Sequence, residues 1–220
     1  MTPEQTVLEV TLPRRRAFGR GAFLVSEANL TALTLVESGD WPGGQLALIG
    51  PAGAGKTHLG HVWMELSGAE KIAATDLATG DAPDLVRLGA IILEDADKGV
   101  DEAALFHLMN LARAEGARLL LTGATGPSSW RIDTPDLRSR LSALTVARIE
   151  PPDEALLRSL LLKHFADRHL IVGERSVNFI MRHVERSAEG VAEIAERLDR
   201  EALKAARGIT IPFVKQVTGW

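Results

Sequence analysis

One glycine-rich segment of the sequence has residue types and a spacing that predict phosphate chemistry. Residues 50–57 read GPAGAGKT, a full match to G-x-x-x-x-G-K-[ST], between an apolar run and a segment with helical periodicity. Glycines in such a loop let successive backbone N–H groups point at phosphate oxygens, while Lys56 reaches the terminal phosphates and Thr57 can ligate Mg²⁺. We therefore predict a nucleoside polyphosphate site, because a turn without a ligand would have no need of the lysine.

Two acids at the end of an apolar run form the second candidate site. Residues 90–95 read AIILED, and acids at the carboxyl end of a parallel strand border the crevice in which ligands bind. In such pairs the first acid is usually Asp, which holds Mg²⁺ through water, and the second orients the attacking water. Here Glu94 is first and Asp95 second, so we expect nucleotide binding to persist, Mg²⁺ geometry to be altered and hydrolysis to be weak. A solvated pair of acids is the alternative.

Alternating strands and helices are predicted to position these residues. Strands buried on both faces and separated by helices indicate a parallel sheet in a layered α/β fold. The predicted helices of this part cover residues 27–38, 56–66 and 101–115. The five predicted strands cover residues 45–49, 71–75, 89–93, 118–122 and 145–149.

The chain is predicted to contain three regions. Residues 1–20 show little periodicity and are interpreted as a flexible N-terminal arm, and residues 21–150 as the α/β nucleotide-binding domain. Pro151-Pro152 ends the last strand, and residues 151–220 are interpreted as a small helical domain. Its helices are predicted over residues 153–167, 176–184, 188–207 and 210–216.

The composition is that of a globular chain that does not mainly coat nucleic acid. Of 220 residues 45% are hydrophobic, none is Cys, and the formal net charge is −4. No apolar stretch approaches the roughly 18 residues that a membrane-crossing helix needs, so we expect a soluble, cytoplasmic protein without a membrane partner. The basic run Arg14-Arg15-Arg16 is interpreted as a solvated linker, with contact to phosphate or DNA as the alternative.

Several segments, taken in their order and spacing, resemble the DnaA-related AAA+ ATPases, and among them the shorter Hda-type regulators of the DnaA replication initiator. The resemblance spans roughly residues 18–220. It implies an α/β fold of the AAA+ P-loop type, with a parallel five-stranded sheet sandwiched by helices and followed by a small all-α lid domain. The segments that carry it are FLVSEAN at 23–29, GKTHL at 55–59, ALFHLMNLARAEGARLLLTG at 104–123, PDLRSRL at 135–141 and ITIPFVKQV at 209–217.

The resemblance also implies the cofactors and the residues that hold them. ADP or ATP with Mg²⁺ is expected between the sheet domain and the lid, with the metal at Thr57 and Glu94 and a catalytic role for Asp95. The residues expected to contact the nucleotide are Leu24, Val25, Pro51, Ala52, Gly53, Ala54, Gly55, Lys56, Thr57 and His58.

The sequence departs from the family pattern at two positions that would read the γ-phosphate. Ala124 follows Thr122-Gly123 where a polar sensor residue is expected, and no Arg stands within residues 189–192, where the lid arginine usually falls. With Glu94, these departures predict a protein that holds a nucleotide such as ADP as a clamp between sheet domain and lid. Hydrolysis of ATP by this chain is expected to be slow or absent.

In this family the arginine of the SRL segment projects into the nucleotide site of a neighbouring subunit, and by match this is Arg140. A guanidinium stabilises charge on the transferring phosphoryl oxygens, and one supplied in trans raises hydrolysis by ~10³–10⁵-fold. The residues alone favour an Arg140 that lies on a helix surface and is held by an acid such as Asp136, whereas the resemblance favours the arginine finger. Arg138 is the second candidate for the arginine finger.

The resemblance implies two partners, the DnaA initiator and the DNA polymerase sliding clamp. Gln5, Leu8 and Val10 fit loosely the Gln-x-x-Leu-x-Leu peptide that docks on the clamp. Because the sequence ends at Trp220, we expect no helix-turn-helix domain and no direct sequence-specific DNA binding; homodimerisation is left open.

Three functions follow as hypotheses. The first is regulatory inactivation of DnaA, in which Arg140 promotes hydrolysis of the ATP that DnaA holds, with the clamp engaged; this would regulate initiation of DNA replication negatively. The alternative is an ATP-dependent helicase loader or other DNA-remodelling ATPase, which would need intact metal and sensor positions. The third is an adenylate-binding interaction module without a catalytic role in trans.

Overall fold

The computed structural model describes residues 19–220, so the predictions for Gln5, Leu8, Val10 and residues 14–16 lie outside the described residues. A five-stranded, fully parallel sheet forms the centre of the N-terminal part, in the order β2-β3-β4-β1-β5. The parallel five-stranded sheet predicted from the sequence is confirmed. Its strands are β1 (Gln45–Ile49), β2 (Glu70–Ala73), β3 (Ala90–Glu94), β4 (Arg118–Gly123) and β5 (Thr145–Arg148).

Helices connect the strands and make up the C-terminal part. The three longest of the later helices begin at residues with side-chain caps, because Asp101, Asp153 and Ser187 each accept a hydrogen bond from the backbone N–H three residues on. The helices are α1 (Leu30–Ser38), α2 (Lys56–Ser67), α3 (Ala82–Arg87), α4 (Glu102–Glu115), α5 (Pro135–Ser142), α6 (Glu154–Ala166), α7 (Glu174–His183), α8 (Ala188–Ala205) and α9 (Ile211–Thr218).

The elements differ from the sequence predictions in several places, and α5 is one of the helices that were not predicted. Helix α1 begins at Leu30 rather than at residue 27, because Asn29 turns the chain: its side chain accepts from Ser26 N and donates to the Leu24 carbonyl. Strand β2 ends at Ala73, and Ala74–Asp76 forms a 3-10 turn. Helix α3 was not predicted, since its six residues give too little periodicity for a helix to be recognised.

The two faces of the sheet are covered by different helices. On β3, Ile91 and Leu93 pack with α3, α4 and α5, whereas Ile92 packs with α1 and α2. Successive side chains of a strand point to opposite faces, so strands with apolar residues at every position require helices on both sides. Helix α2, which follows the glycine-rich loop, and helix α5, which carries Arg140, therefore lie on opposite faces.

Helices α6 to α9 pack around a hydrophobic core of their own. Leu161 and Phe165 of α6 meet Ile180 of α7 and Leu198 of α8 in this core. Arg168 and Asp199 pair at its rim, with 3.6 Å between Nε and Oδ2. This helical region begins shortly after β5, and the exact division of the chain at residue 150 stays a prediction. Within residues 19–220, no helix is both long and apolar enough to cross a membrane.

Two neighbouring leucines of α6 provide a matched test of the helical core. Leu161 is fully buried, whereas 43% of Leu162 is exposed. Leu161→Ala is expected to lower the free energy of unfolding by about 2–5 kcal/mol, because it leaves a cavity among packed side chains. Leu162→Ala should cost less than about 1 kcal/mol. Urea unfolding followed by circular dichroism measures both, and equal losses would contradict the assigned core.

Candidate nucleotide site and an exposed arginine

The glycine-rich loop leaves β1 between two neighbouring strands and folds tightly enough to need its glycines. Gly50 N donates to Gly123 O of β4 at 3.2 Å, and a Cβ on Gly50 would lie 2.6 Å from Ile149 O, beside β5. Gly53 and Gly55 have φ of 70° and 104°, a region that residues with a Cβ rarely adopt. The loop thus has the backbone that the motif predicts, and it ends at Lys56, the first residue of α2.

Lys56 folds over the loop. Its Nζ donates to Gly50 O at 2.7 Å and to Pro51 O at 3.0 Å. These two hydrogen bonds use two of the three donors of the ammonium group. Partial burial lowers the pKa of Lys56 below its ordinary value, and the charges of Asp95 and Asp97 oppose this shift. These two acids are therefore close enough to act on the loop lysine.

The two predicted acids have different surroundings. The Glu94 carboxylate pairs with Lys71 of β2, with 3.1 Å between Oε2 and Nζ. Asp95 has a left-handed backbone with φ of 56°, its N–H donates to Thr122 Oγ1 at 3.0 Å, and its carboxylate pairs with Lys98 at 2.9 Å. Of the two, Asp95 is the acid whose charge raises the pKa of Lys56.

The residues present fit Mg²⁺ only in part. Mg²⁺ is usually bound by one or two protein ligands together with water and substrate phosphates. Thr57 is exposed at the start of α2 beside the loop, where its hydroxyl could serve as one such ligand. Glu94 would have to share its carboxylate with Lys71, so Thr57 fits the predicted role better than Glu94 does.

Asp97 is a site residue that the sequence reasoning missed. One of its carboxylate oxygens, Oδ2, accepts from Ala124 N at 2.7 Å. Asp97 thus contacts the backbone of Ala124, the position at which the resemblance implies a polar sensor residue. The other, Oδ1, is buried and has no hydrogen-bond partner among the described residues. The only signal in the sequence was the spacing of Asp97 two residues after Asp95.

The segment predicted to contact the nucleotide lies beside the loop. Phe23 meets the His58 ring edge-on at a centroid distance of 5.1 Å, and it lies 3.9 Å from the position of a Cβ on Gly55. Leu24 is partly buried and 46% of Val25 is exposed. In the same segment Ser26 Oγ is buried without a partner in the described chain, so this hydroxyl could bond a bound molecule.

The helical region touches the loop directly. Ala188 N, at the start of α8, donates to Gly53 O at 3.3 Å. A Cβ on Gly53 would lie 3.0 Å from Ser187 Cβ and 3.5 Å from Glu189 Cβ. The first turn of α8, where the sequence lacks the family's lid arginine, therefore faces the loop and brings Glu189 to it.

Arg140 is exposed on α5 and is held by an aromatic ring rather than by an acid. Its Cζ lies 5.0 Å from the centroid of the Phe106 ring, on α4. Across residues 19–220, Arg140 forms no salt bridge with Asp136 or with any other acid. The alternative that Asp136 holds Arg140 is thus not what the structure has. Arg138, on the same helix, is also exposed.

The C-terminal region has a recognisable family. Residues 153–218 match the family described as the Hda lid domain. An uncharacterized protein of Haemophilus influenzae is 28% identical over 187 residues, which cover 76% of this chain and 78% of that protein.

Solved structures share the fold of the whole described chain. Domain III of the replication initiation protein DnaA from Thermotoga maritima matches with a TM-score of 0.76 at 19% identity, over 92% of this chain and 95% of that one. The RuvB Holliday junction branch migration motor of Thermotoga maritima gives 0.74 at 15% identity, over 93% and 72%. AMPPCP-bound DnaA from Aquifex aeolicus gives 0.70 at 15% identity, over 84% and 66%.

At these identities the solved structures establish the fold alone, and the family match concerns the C-terminal helices. The sheet order, the helices on both faces and the C-terminal helical region give this chain the fold that DnaA domain III and the RuvB motor share, as the resemblance implied. The lid match is thus confined to residues 153–218, while the fold of the described chain is similar to that of DnaA domain III.

Proposed function

We propose that this protein is a nucleotide-binding regulator that promotes hydrolysis of the ATP held by the DnaA initiator, with Arg140 as the arginine finger. In that reaction water attacks the γ-phosphorus, the bond to the β,γ-bridging oxygen breaks, and ADP and phosphate leave. Arg140 stabilises the charge on the transferring oxygens and takes no covalent part. The reaction belongs to the partner's site, and this chain supplies one guanidinium to it.

The observation that carries the proposal is the placement of Arg140. Its guanidinium is exposed and rests on Phe106, so it can leave the ring for a phosphate without breaking an ion pair. Helix α5 packs on the sheet face opposite α2, which follows the chain's own phosphate loop. An arginine on that face is better placed to serve another molecule than its own loop.

DnaA is the partner that the relationship favours. Residues 153–218 match the Hda lid, and the chain shares the fold of DnaA domain III. Two AAA+ modules of similar shape can pack side by side so that one presents a residue to the nucleotide of the next. DnaA of Aquifex aeolicus is bound to AMPPCP in its solved structure, which supports a triphosphate as the target of Arg140.

The chain's own nucleotide acts as a structural clamp in this proposal. Residues 50–57 hold the phosphates of ADP or ATP, and residues 23–29 lie beside the nucleotide. Thr57 is one ligand of the Mg²⁺ that would neutralise the phosphates. Three observations support weak hydrolysis: Glu94 pairs with Lys71, Ala124 has no polar side chain, and α8 brings Glu189 rather than an arginine to the loop. A phosphate bound there would lie between the loop and the helical region.

The sliding clamp is proposed as the second partner. Gln5, Leu8 and Val10 would supply the docking peptide, a proposal that rests on the sequence pattern alone. A homodimer is compatible with the same exposed α5. A helicase loader, the alternative function, would need vigorous hydrolysis at its own site, and the surroundings of Glu94 and Ala124 do not support it.

Lys56→Ala tests the phosphate loop. The variant should bind ADP and ATP about 10- to 100-fold more weakly, because charge-assisted hydrogen bonds to phosphate are lost. Titration with a fluorescent adenine nucleotide measures the Kd. Lys204→Ala, an exposed lysine at the far end of α8, is the control and should leave the Kd unchanged. Equal affinities for Lys56→Ala and wild type would contradict the proposed site.

Gly53→Ala and Gly68→Ala separate backbone strain from contact with the lid. The two glycines have φ of 70° and 69°. Only a Cβ on Gly53 would meet α8, whereas a Cβ on Gly68 would meet nothing within 4 Å. Each variant should lose roughly 1 kcal/mol of stability through the left-handed backbone. Only Gly53→Ala should also weaken nucleotide binding, because it pushes the first turn of α8 away from the loop. If both variants bind nucleotide like wild type, the loop and α8 do not act together.

Arg140→Ala tests the regulatory function. With wild-type protein and DNA-loaded clamp, turnover of DnaA-bound radiolabelled ATP should accelerate. With Arg140→Ala the rate should return to that of DnaA alone, a loss of about 10³-fold or more. Arg138→Ala is the matched control and should keep the stimulation. Retained stimulation in Arg140→Ala with loss in Arg138→Ala would transfer the role to Arg138, and no stimulation by wild type would remove the regulatory proposal.

A further inference from the structure

We infer that Glu102, at the start of α4, is the positioning residue for Arg140. The inference rests on the proposed function of Arg140 and extends it to a residue that has no contact with nucleotide or partner in that proposal. Its basis is a pair of hydrogen bonds between α4 and the residues that begin α5.

The Glu102 carboxylate uses both of its oxygens to hold the start of α5. Oε1 accepts from Asp133 N at 2.7 Å, and Oε2 accepts from Thr134 N at 2.8 Å. Hydrogen bonds to an ionised acceptor are shorter and stronger than neutral ones, and two parallel bonds fix direction as well as distance. The segment before α5 is thus fixed in place by one side chain from α4.

No other part of α5 could replace this contact. Thr134 is the N-cap residue of α5 but its side chain makes no capping hydrogen bond, and Pro135 at the first helical position has no N–H. The helix has eight residues, too few to be stable by itself. Leu137 and Leu141 of α5 pack in the core. Their hydrophobic contacts hold the helix against the sheet but are non-directional, so they do not fix its rotation.

A second contact from α4 lies one helical turn further on. Phe106 follows Glu102 by four residues, so both side chains lie on the same face of α4. Glu102 holds the start of α5, and the Phe106 ring carries the Arg140 guanidinium, with Cζ 5.0 Å from the centroid. The Glu102 contact lies at the start of α5 and the Phe106 contact near its end. Together they determine how α5 is rotated about its own axis, and this rotation determines where Arg140 points.

The surroundings of Glu102 favour its charged form. The Thr134 hydroxyl, the backbone N–H groups of Asp133 and Thr134 and the charge of Arg138 all lower the pKa of the Glu102 carboxyl below its ordinary value of 4.5. The carboxylate therefore keeps both acceptor oxygens throughout the neutral range, in which the regulatory reaction would be assayed.

The test combines hydrogen exchange with turnover of DnaA-bound ATP, in Glu102→Ala, Glu102→Gln and the matched control Glu115→Ala. Glu115 is an exposed residue of the same helix at its opposite end. In Glu102→Ala, the N–H groups of Asp133 and Thr134 should exchange about 10-fold or more faster, since each loses a charged acceptor. Glu115→Ala should leave their exchange unchanged.

The turnover assay distinguishes positioning from general damage. Glu102→Ala should lower the maximal rate about 10- to 100-fold, because a misplaced catalytic group loses rate steeply with distance. The concentration of this protein that gives half-maximal stimulation should stay unchanged, as should its Kd for ADP. Glu102→Gln keeps one acceptor oxygen and should recover part of the rate. In an Arg140→Ala background, Glu102→Ala should cause no further loss.

The two readouts fail separately. If wild type does not stimulate DnaA, the proposed function is wrong, and exchange at Asp133 and Thr134 still reports on the Glu102 contact. Unchanged exchange in Glu102→Ala overturns the inference whatever DnaA does. Faster exchange with an unaltered maximal rate, or a shift in half-maximal concentration alone, overturns it as well, because Glu102 would then stabilise the fold or the interface without directing Arg140.

Discussion

Burial of the sheet on both faces is the constraint from which the rest of the arrangement follows. The side chains of β1, β3 and β4 are apolar on both sides, so helices must cover both. Parallel strands also bring their carboxyl ends to one edge, where the glycine-rich loop and the acids of β3 gather. The same layering separates α2 from α5 by the thickness of the sheet. The helix that follows the glycine-rich loop therefore lies on one face of the sheet, and the helix that carries Arg140 lies on the other.

The phosphate loop depends on close packing as much as on its own sequence. Gly50 is enclosed by Ile149 O, and Gly53 by Ser187 and Glu189. The loop thus has strand β5 on one side and the first turn of α8 on the other. A change in the backbone of the loop would therefore displace the first turn of α8. The charges nearby are largely paired within the chain, since Glu94 has Lys71 and Asp95 has Lys98.

Sequence reasoning reached the parts of this protein that depend on local patterns. The strands, the long helices and the glycine-rich segment of residues 50–57 follow from periodicity and from residues close together in the chain. The ion pair of Lys71 with Glu94 could not be predicted, because it needs the register of β2 against β3. Asp97 and Glu102 were missed for the same reason: their partners lie 27 to 32 residues away. Arg140 was proposed from family resemblance and stays a prediction, while its contact with Phe106 depends on how α5 packs against α4.

The stacking of Arg140 on Phe106 has a consequence for the thermodynamics of association. A free arginine side chain has roughly 2 kcal/mol of rotamer entropy, and part of that freedom is normally lost when the residue enters a binding site. The Phe106 ring already restricts the guanidinium in the isolated protein, so less entropy remains to be lost when a partner arrives. Because Arg140 is exposed, its contact with the partly buried Phe106 ring is weak, at about 0.5–1 kcal/mol. The contact limits the conformations of Arg140 but is weaker than a contact with an anion would be.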